Sequence, residues 1–184
     1  MSTPGTYRSS DGSAVTFPQA LDAWTTAAVD VLTDRARTYN ATIGYADLRD
    51  ALFARSGIET RTLLPHWIGK VLGKVADTCH ATDGLPPLTA LVIHEHTGTV
   101  GPGYADAVQR NTGAVPDDIE EHAADARLEC YRALARDLPA DGGRPALTAR
   151  LKAARRAAAP TPPAPTCGNC NVTLPRSGQC DNCT

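Results

Sequence analysis

The sequence predicts a mainly α-helical fold with one small β-hairpin, followed by a short tail organised by cysteines. Three observations lead there. Apolar residues recur at spacings of three and four through most of residues 17–134, the stripe of amphipathic helices. One stretch, Leu88 to His94 (LTALVIH), turns instead into a β-branched and apolar run suited to a strand. Four of the six cysteines lie between residues 167 and 183. With 42% hydrophobic and 21% charged residues in 184, the chain has the composition of a globular protein rather than a disordered one. Having only two Phe, two Trp and one Met, it must build its core from Leu, Val, Ile and Ala.

Residues 1–15 are small and polar and read as a flexible N-terminal arm. From Phe17 to Tyr39 the positions Leu21, Trp24, Ala28, Val31 and Leu32 mark a first helix, with Pro18 in its first turn. Asn40 ends it, and Thr42 is placed to cap a second helix carrying Tyr45, Leu48, Leu52 and Phe53, which Ser56-Gly57 stops. Thr62 is placed to cap a third, with Pro65 in its first turn. Its buried stripe is Ile68, Val71, Leu72, Val75 and Cys79, and its outer face carries His66, Lys70, Lys74 and Asp77. Trp67 falls off that stripe and suits a contact surface. Gly69 and Gly73 each cost up to about 1 kcal/mol of helix propensity, so they imply close approach of a helix or a ligand. The 88–94 strand, a turn at His96-Thr97-Gly98 and a return at Thr99-Val100 make the hairpin, which Gly101-Pro102-Gly103 ends. A last helix follows Pro116, with Ile119, Ala123, Ala126, Cys130 and Leu134 on one face and acids in its first turns. Cys79 and Cys130, isolated on helix stripes, read as core residues. The chain thus divides into the arm (1–15), a helical domain (16–140), a basic and then Pro/Ala-rich linker (141–166) and the tail (167–184).

The tail reads Cys167-Gly-Asn-Cys170, nine residues, then Cys180-Asp-Asn-Cys183. Two C-x-x-C pairs supply four thiolates, a tetrahedral set suited to structural zinc. So short a segment buries no core, and metal binding would supply its folding free energy. The tail resembles the short zinc-ribbon modules at the ends of many bacterial proteins, through CGNC, Leu174-Pro175, Gly178 and CDNC. That resemblance implies a contact with nucleic acid or protein, or a simple chain cap.

Helix, short helix, longer helix and hairpin, over residues 42–104, is the order of a winged helix, in which the third helix enters the DNA major groove. Arg61, Thr62, His66, Lys70 and Lys74 would then meet phosphates and base edges. The segment with Arg144, Arg150, Lys152, Arg155 and Arg156 carries no acid and would extend the phosphate contacts, or serve as a plain solvated helix. The motifs I43-G-Y-A-D-L48, G69-K-V-L-G-K74, L85-P-P-L-T-A-L-V-I93 and T97-G-T-V-G-P-G-Y104 resemble an uncharacterised bacterial and phage family, winged-helix-like in its element order. A fainter similarity, through I-x-Y-x-x-L, is to the winged-helix domain of alkyltransferase-like DNA repair proteins. Their reactive P-C-H-R is missing, because Ile93-His94-Glu95-His96 has no cysteine, so alkyl transfer is not implied.

The expectation is therefore a small zinc-containing DNA-binding protein, regulatory or encoded by a mobile element or phage. A second reading is an adaptor that docks proteins through the acidic helix and the zinc ribbon. A third is a metal-dependent nuclease using His94, Glu95 and His96. A net charge of -2 excludes a binder that is basic throughout, though not a local basic face. No basic-then-apolar leader and no run of about 20 apolar residues is evident, so the expected setting is cytoplasmic, without a membrane partner.

Overall fold

Phe17–Ala36 forms the first helix, α1, with Thr16 as its N-cap. The Thr16 hydroxyl accepts the Gln19 N–H and the Gln19 side chain returns to the Thr16 N–H, while Pro18 fills an early position that needs no donor. The chain is described here from a computed structural model covering residues 5–159, 165–175 and 178–183. Tyr45–Ser56 is α2, ended by Gly57 in the left-handed conformation. Ile68–Ala81 is α3, Pro102–Thr112 is α4 and Ile119–Leu134 is α5, whose N-cap Asp118 accepts from the N–H groups of Glu120 and Glu121. Ala149–Ala158 is α6. The chain falls into two units, residues 1–152 and 153–184.

Four short strands complete the first unit. β1 (Thr6–Arg8) pairs antiparallel with β3 (Ile58–Thr60), and β2 (Ile43–Gly44) pairs parallel with β4 (Val92–Ile93). Residues 6–8 of the expected loose arm are thus held in a ladder. The Tyr7 hydroxyl donates to Glu59 at 3.0 Å and reinforces it.

The main core gathers α1, α2, α3, the turn at Leu88–Leu91 and part of α5 around two fully buried tryptophans. Trp24 and Trp67 lie 4.5 Å apart between ring centroids, and Phe53 stacks on Trp67 at 5.7 Å. Each indole N–H is used, Trp24 donating to the Ile58 carbonyl at 2.9 Å and Trp67 to the Thr62 carbonyl at 3.2 Å. Trp67 is therefore a core residue, not a contact surface. A smaller cluster joins Ala90, Val100 and Tyr104 to Ala123 and Ala126 of α5.

Three expectations are corrected. The third helix does not begin at Thr62. Leu64–His66 makes a 3-10 turn, the backbone breaks at Trp67, and α3 starts at Ile68. Sinking the indole into the core requires that break.

The hairpin does not form. Leu88–Leu91 is a 3-10 turn with Leu88, Ala90 and Leu91 all buried, and two inward neighbours at 90 and 91 defeat the alternation of a strand. After β4, the His94 carbonyl accepts from the N–H groups of Thr97 and Gly98, and the His94 N–H reaches the Thr99 carbonyl at 2.8 Å. The Val100 N–H is diverted to the Glu120 carboxylate at 2.9 Å, so no return strand follows. The described residues are mainly helical with two small two-stranded sheets, and they form no wing.

Lastly, the Gly101-Pro102-Gly103 stop is the start of α4, with Gly101 as N-cap and Pro102 in the first turn.

Candidate metal centre

The tail folds its two C-x-x-C pairs into two tight turns. In the first, the Asn171 N–H bonds the Cys167 carbonyl at 2.9 Å and the Cys167 N–H bonds the Val172 carbonyl at 2.8 Å, with Asn171 in the left-handed region. A bridge between Thr166 and Thr173 closes the loop behind it. In the second, the Cys183 N–H bonds the Cys180 carbonyl at 3.3 Å, after a turn in which Gly178, also left-handed, donates to the Pro175 carbonyl. A C-x-x-C spacing does this because one turn brings both sulfurs to the same side.

Both turns aim their sulfurs at one point. The Sγ atoms of Cys167, Cys170, Cys180 and Cys183 all lie within 4.8 Å of one another. Cys167 and Cys183 are 3.8 Å apart and Cys170 and Cys180 3.4 Å apart. Four sulfurs at about 2.3 Å from a tetrahedral ion would stand about 3.8 Å from each other, so two of the pairs already lie near that spacing and the widest would close to it on binding a metal. The backbone favours the ionised form at one edge. N–H groups of Asn169 and Cys170 point at the Cys167 sulfur and hold its pKa down to about 6. The Val172 N–H and the Cys183 thiol lower that of Cys170, whereas Cys183, donating to Cys170, is pushed up. Four thiolates alone complete a tetrahedral set, which suits a structural rather than a catalytic ion.

Cys79 and Cys130 are buried far from that chemistry in sequence and environment. Burial in the core pushes both thiols up, as expected of small apolar residues rather than ligands.

The residues expected to meet nucleic acid are more dispersed than a recognition helix requires. Lys70 and Lys74 do share the outer side of α3, yet both turn to α1. The Lys74 ammonium pairs with Asp22 at 2.6 Å, and that of Lys70 sits 5.1 Å over the Phe17 ring. Asp77 pairs with Arg110 of α4. His66 lies exposed in the 3-10 turn, outside α3. Arg61 covers the Tyr7 ring at 5.9 Å, and Thr62 serves the Trp67 indole instead of a helix cap.

Arg150, Lys152, Arg155 and Arg156 all fall on α6, a helix with no buried residue and no acid along its length. Thr148 opens it by accepting the Leu151 N–H, and the Arg150 guanidinium reaches the His96 carbonyl at 3.5 Å. The linker residues 160–164 lie outside the described residues.

His94, Glu95 and His96 do not assemble a site. His94 stacks on Tyr45 at 4.7 Å, Glu95 lies over Gly44, and His96 is exposed. The four tail cysteines are the one group among the described residues that brings three or more such ligand atoms together. His94, Glu95 and His96 are not among such a group, since residues alternating along a short segment diverge to different neighbours.

Sequence reasoning also missed Arg127. It is almost fully buried at the centre of α5 and donates to the carbonyls of Ala90 at 3.3 Å and Ala146 at 3.4 Å, tying the turn before β4 to the approach of α6. Its signal was present as a lone cation on the α5 stripe, one residue from Ala126.

No helix among the described residues is long and apolar enough to cross a membrane. Comparison with protein-family models, with curated proteins and with solved structures finds no match to this chain.

Proposed function

We propose that this is a small zinc-containing DNA-binding protein, in which the four-cysteine tail folds on a structural zinc ion and α6 contacts the phosphate backbone. The observation that carries the reading is α6 itself. A ten-residue helix with four cations, no acid and no buried residue gains little from packing. Its charge is matched to a polyanion, and counterion release would drive the association. Zinc is favoured for the tail because four thiolates in tetrahedral array are its commonest structural set.

A second reading is favoured by a separate observation. Lys70 and Lys74 are engaged with α1, and the wing is missing, so the third helix is poorly equipped to read a groove. On that reading the protein is an adaptor, docking partners through the acidic start of α5 and the tail.

A salt titration of duplex DNA binding separates the two. The intact protein should bind with an affinity that falls as salt rises. Arg155→Glu/Arg156→Glu should flatten the slope by about 0.9 for each phosphate left unneutralised. Lys70→Glu/Lys74→Glu should leave that slope nearly unchanged. Absence of salt-dependent binding by the intact protein would refute the DNA reading and leave the adaptor.

A further inference from the structure

The first unit contains a cavity of about 430 Å³ between the start of α3, the start of α4 and β4. Leu64, Ile68, Leu72, Val92 and Ala107 supply apolar walls, and most of its lining is carbon. Such a volume lies within the range of small-molecule sites.

Two glycines leave its mouth clear. Gly69 of α3 and Gly103 of α4 both border the space and are exposed, and a Cβ at either would meet nothing within 4 Å. Neither is therefore demanded by the close approach of another helix. Each is unfavourable in a helix relative to alanine, without a packing return elsewhere.

No Asp, Glu, Lys or Arg lines the cavity. An ion entering it would give up water without meeting a fixed counter-charge. The polar groups that border it, the Thr89 and Tyr45 hydroxyls and the His94 imidazole, both give and take hydrogen bonds. Two of them gather at one end. A Cβ added to Gly101 would collide with the Tyr45 hydroxyl and lie 3.5 Å from His94 Nε2. The His94 ring stacks on Tyr45 at 4.7 Å and is exposed, so this end opens to water. The Tyr104 hydroxyl is already engaged, with Nδ1 of His122 at 3.0 Å, and Tyr104 adds apolar ring to the walls.

We infer that this cavity binds an uncharged amphiphile, a small molecule with an apolar body and a single hydroxyl or carbonyl end. The body lies against Leu64, Ile68 and Leu72, and the polar end meets Tyr45 and His94. The site is independent of the DNA reading, since none of the α6 cations borders it.

Hexanol is the probe, titrated at neutral pH into the full-length protein and followed by calorimetry and backbone NMR shifts. Hexanoate and hexylamine match its length and carry opposite charges. Hexanol should saturate with a dissociation constant on the order of 1 mM, and should shift the resonances of Gly69, Val92 and Ala107. Neither ion should saturate up to about 10 mM. Tyr45→Phe, which removes only the hydroxyl, should weaken hexanol by about fivefold. Leu72→Trp, which puts an indole where the body lies, should abolish binding, and the Tyr45→Phe result does not depend on that variant folding. Lack of saturation by hexanol up to about 10 mM, or either ion binding as tightly as the alcohol, would overturn the assignment. So would shifts confined to residues outside the cavity, or unchanged affinity in Tyr45→Phe or in a folded Leu72→Trp.

Discussion

Glycine identity means opposite things at two positions that border the same cavity. Gly101 is required, because a side chain there would collide with the Tyr45 hydroxyl and the neighbouring ring carbon. Gly101→Ala should therefore cost about 1–3 kcal/mol, the usual penalty for overpacking a filled site. Gly69 is merely tolerated. Gly69→Ala adds a methyl to open space within a helix, and should raise stability by about 0.5–1 kcal/mol through helix propensity and a less flexible unfolded chain. Urea midpoints of the two variants, read against the intact protein at constant slope, check both signs at once. The cost of a helical glycine was legible at Gly69. What it bordered was not, because the opposite wall of the cavity comes from a helix more than thirty residues later. The four metal-binding candidates were legible because their whole geometry is local: C-x-x-C fixes each pair within one turn, and only nine residues separate the pairs.

Elements written in an uninterrupted apolar stripe emerge close to their expected limits. α1 and α5 begin at recognisable caps or prolines and α2 ends at its glycine, but Thr42 does not cap α2: Ile43–Gly44 pairs with β4, and the helix starts at Tyr45 behind Gly44. Where the expectation fails, a tertiary demand overrides a local signal. Leu88–Leu91 has the composition of a strand but is buried at three of four positions, so the chain coils into a 3-10 turn to bury them together. Pro102 between two glycines reads as a turn, yet it occupies a first-turn position where proline is welcome, and Tyr104 and Ala107 then share a buried face. Trp67 is the clearest case. Indexed on α3 it points off the buried stripe, but it precedes the helix, and the broken backbone there delivers the indole between Trp24 and Phe53. Trp67→Ala should accordingly cost about 3–5 kcal/mol, the range for an aromatic removed from a packed core. Thermal unfolding followed by far-UV circular dichroism measures it, and a loss of less than about 1 kcal/mol would return Trp67 to the surface. At the other end of the fold, Asp118→Ala removes the acceptor for two N–H groups of α5 and should cost about 1 kcal/mol by the same measurement.

At the scale of the molecule, a formal charge of -2 conceals a segregated chain. Acids crowd into 117–129 and bases into 144–156, so near neutrality is an average over regions of opposite sign. The sources of stability are segregated as well. Residues 1–152 hold both apolar clusters and both tryptophans. The described part of the tail buries no large apolar side chain, and Val172 is 47% exposed. A segment of that kind has no hydrophobic term to set against about 1–2 kcal/mol of backbone entropy per ordered residue. Coordination of a metal by the four thiolates, worth on the order of 10–16 kcal/mol in comparable zinc peptides, would supply it instead. Two consequences are measurable on one sample. Protein purified without chelator should carry about one equivalent of zinc, and less than about half would contradict the cage as the metal's site. Stripping the metal, or replacing Cys180 by serine, should open residues 165–183 to protease while the thermal transition of the helical unit stays where it was. A fall of that transition on chelation would mean that the ion supports the core as well as the tail.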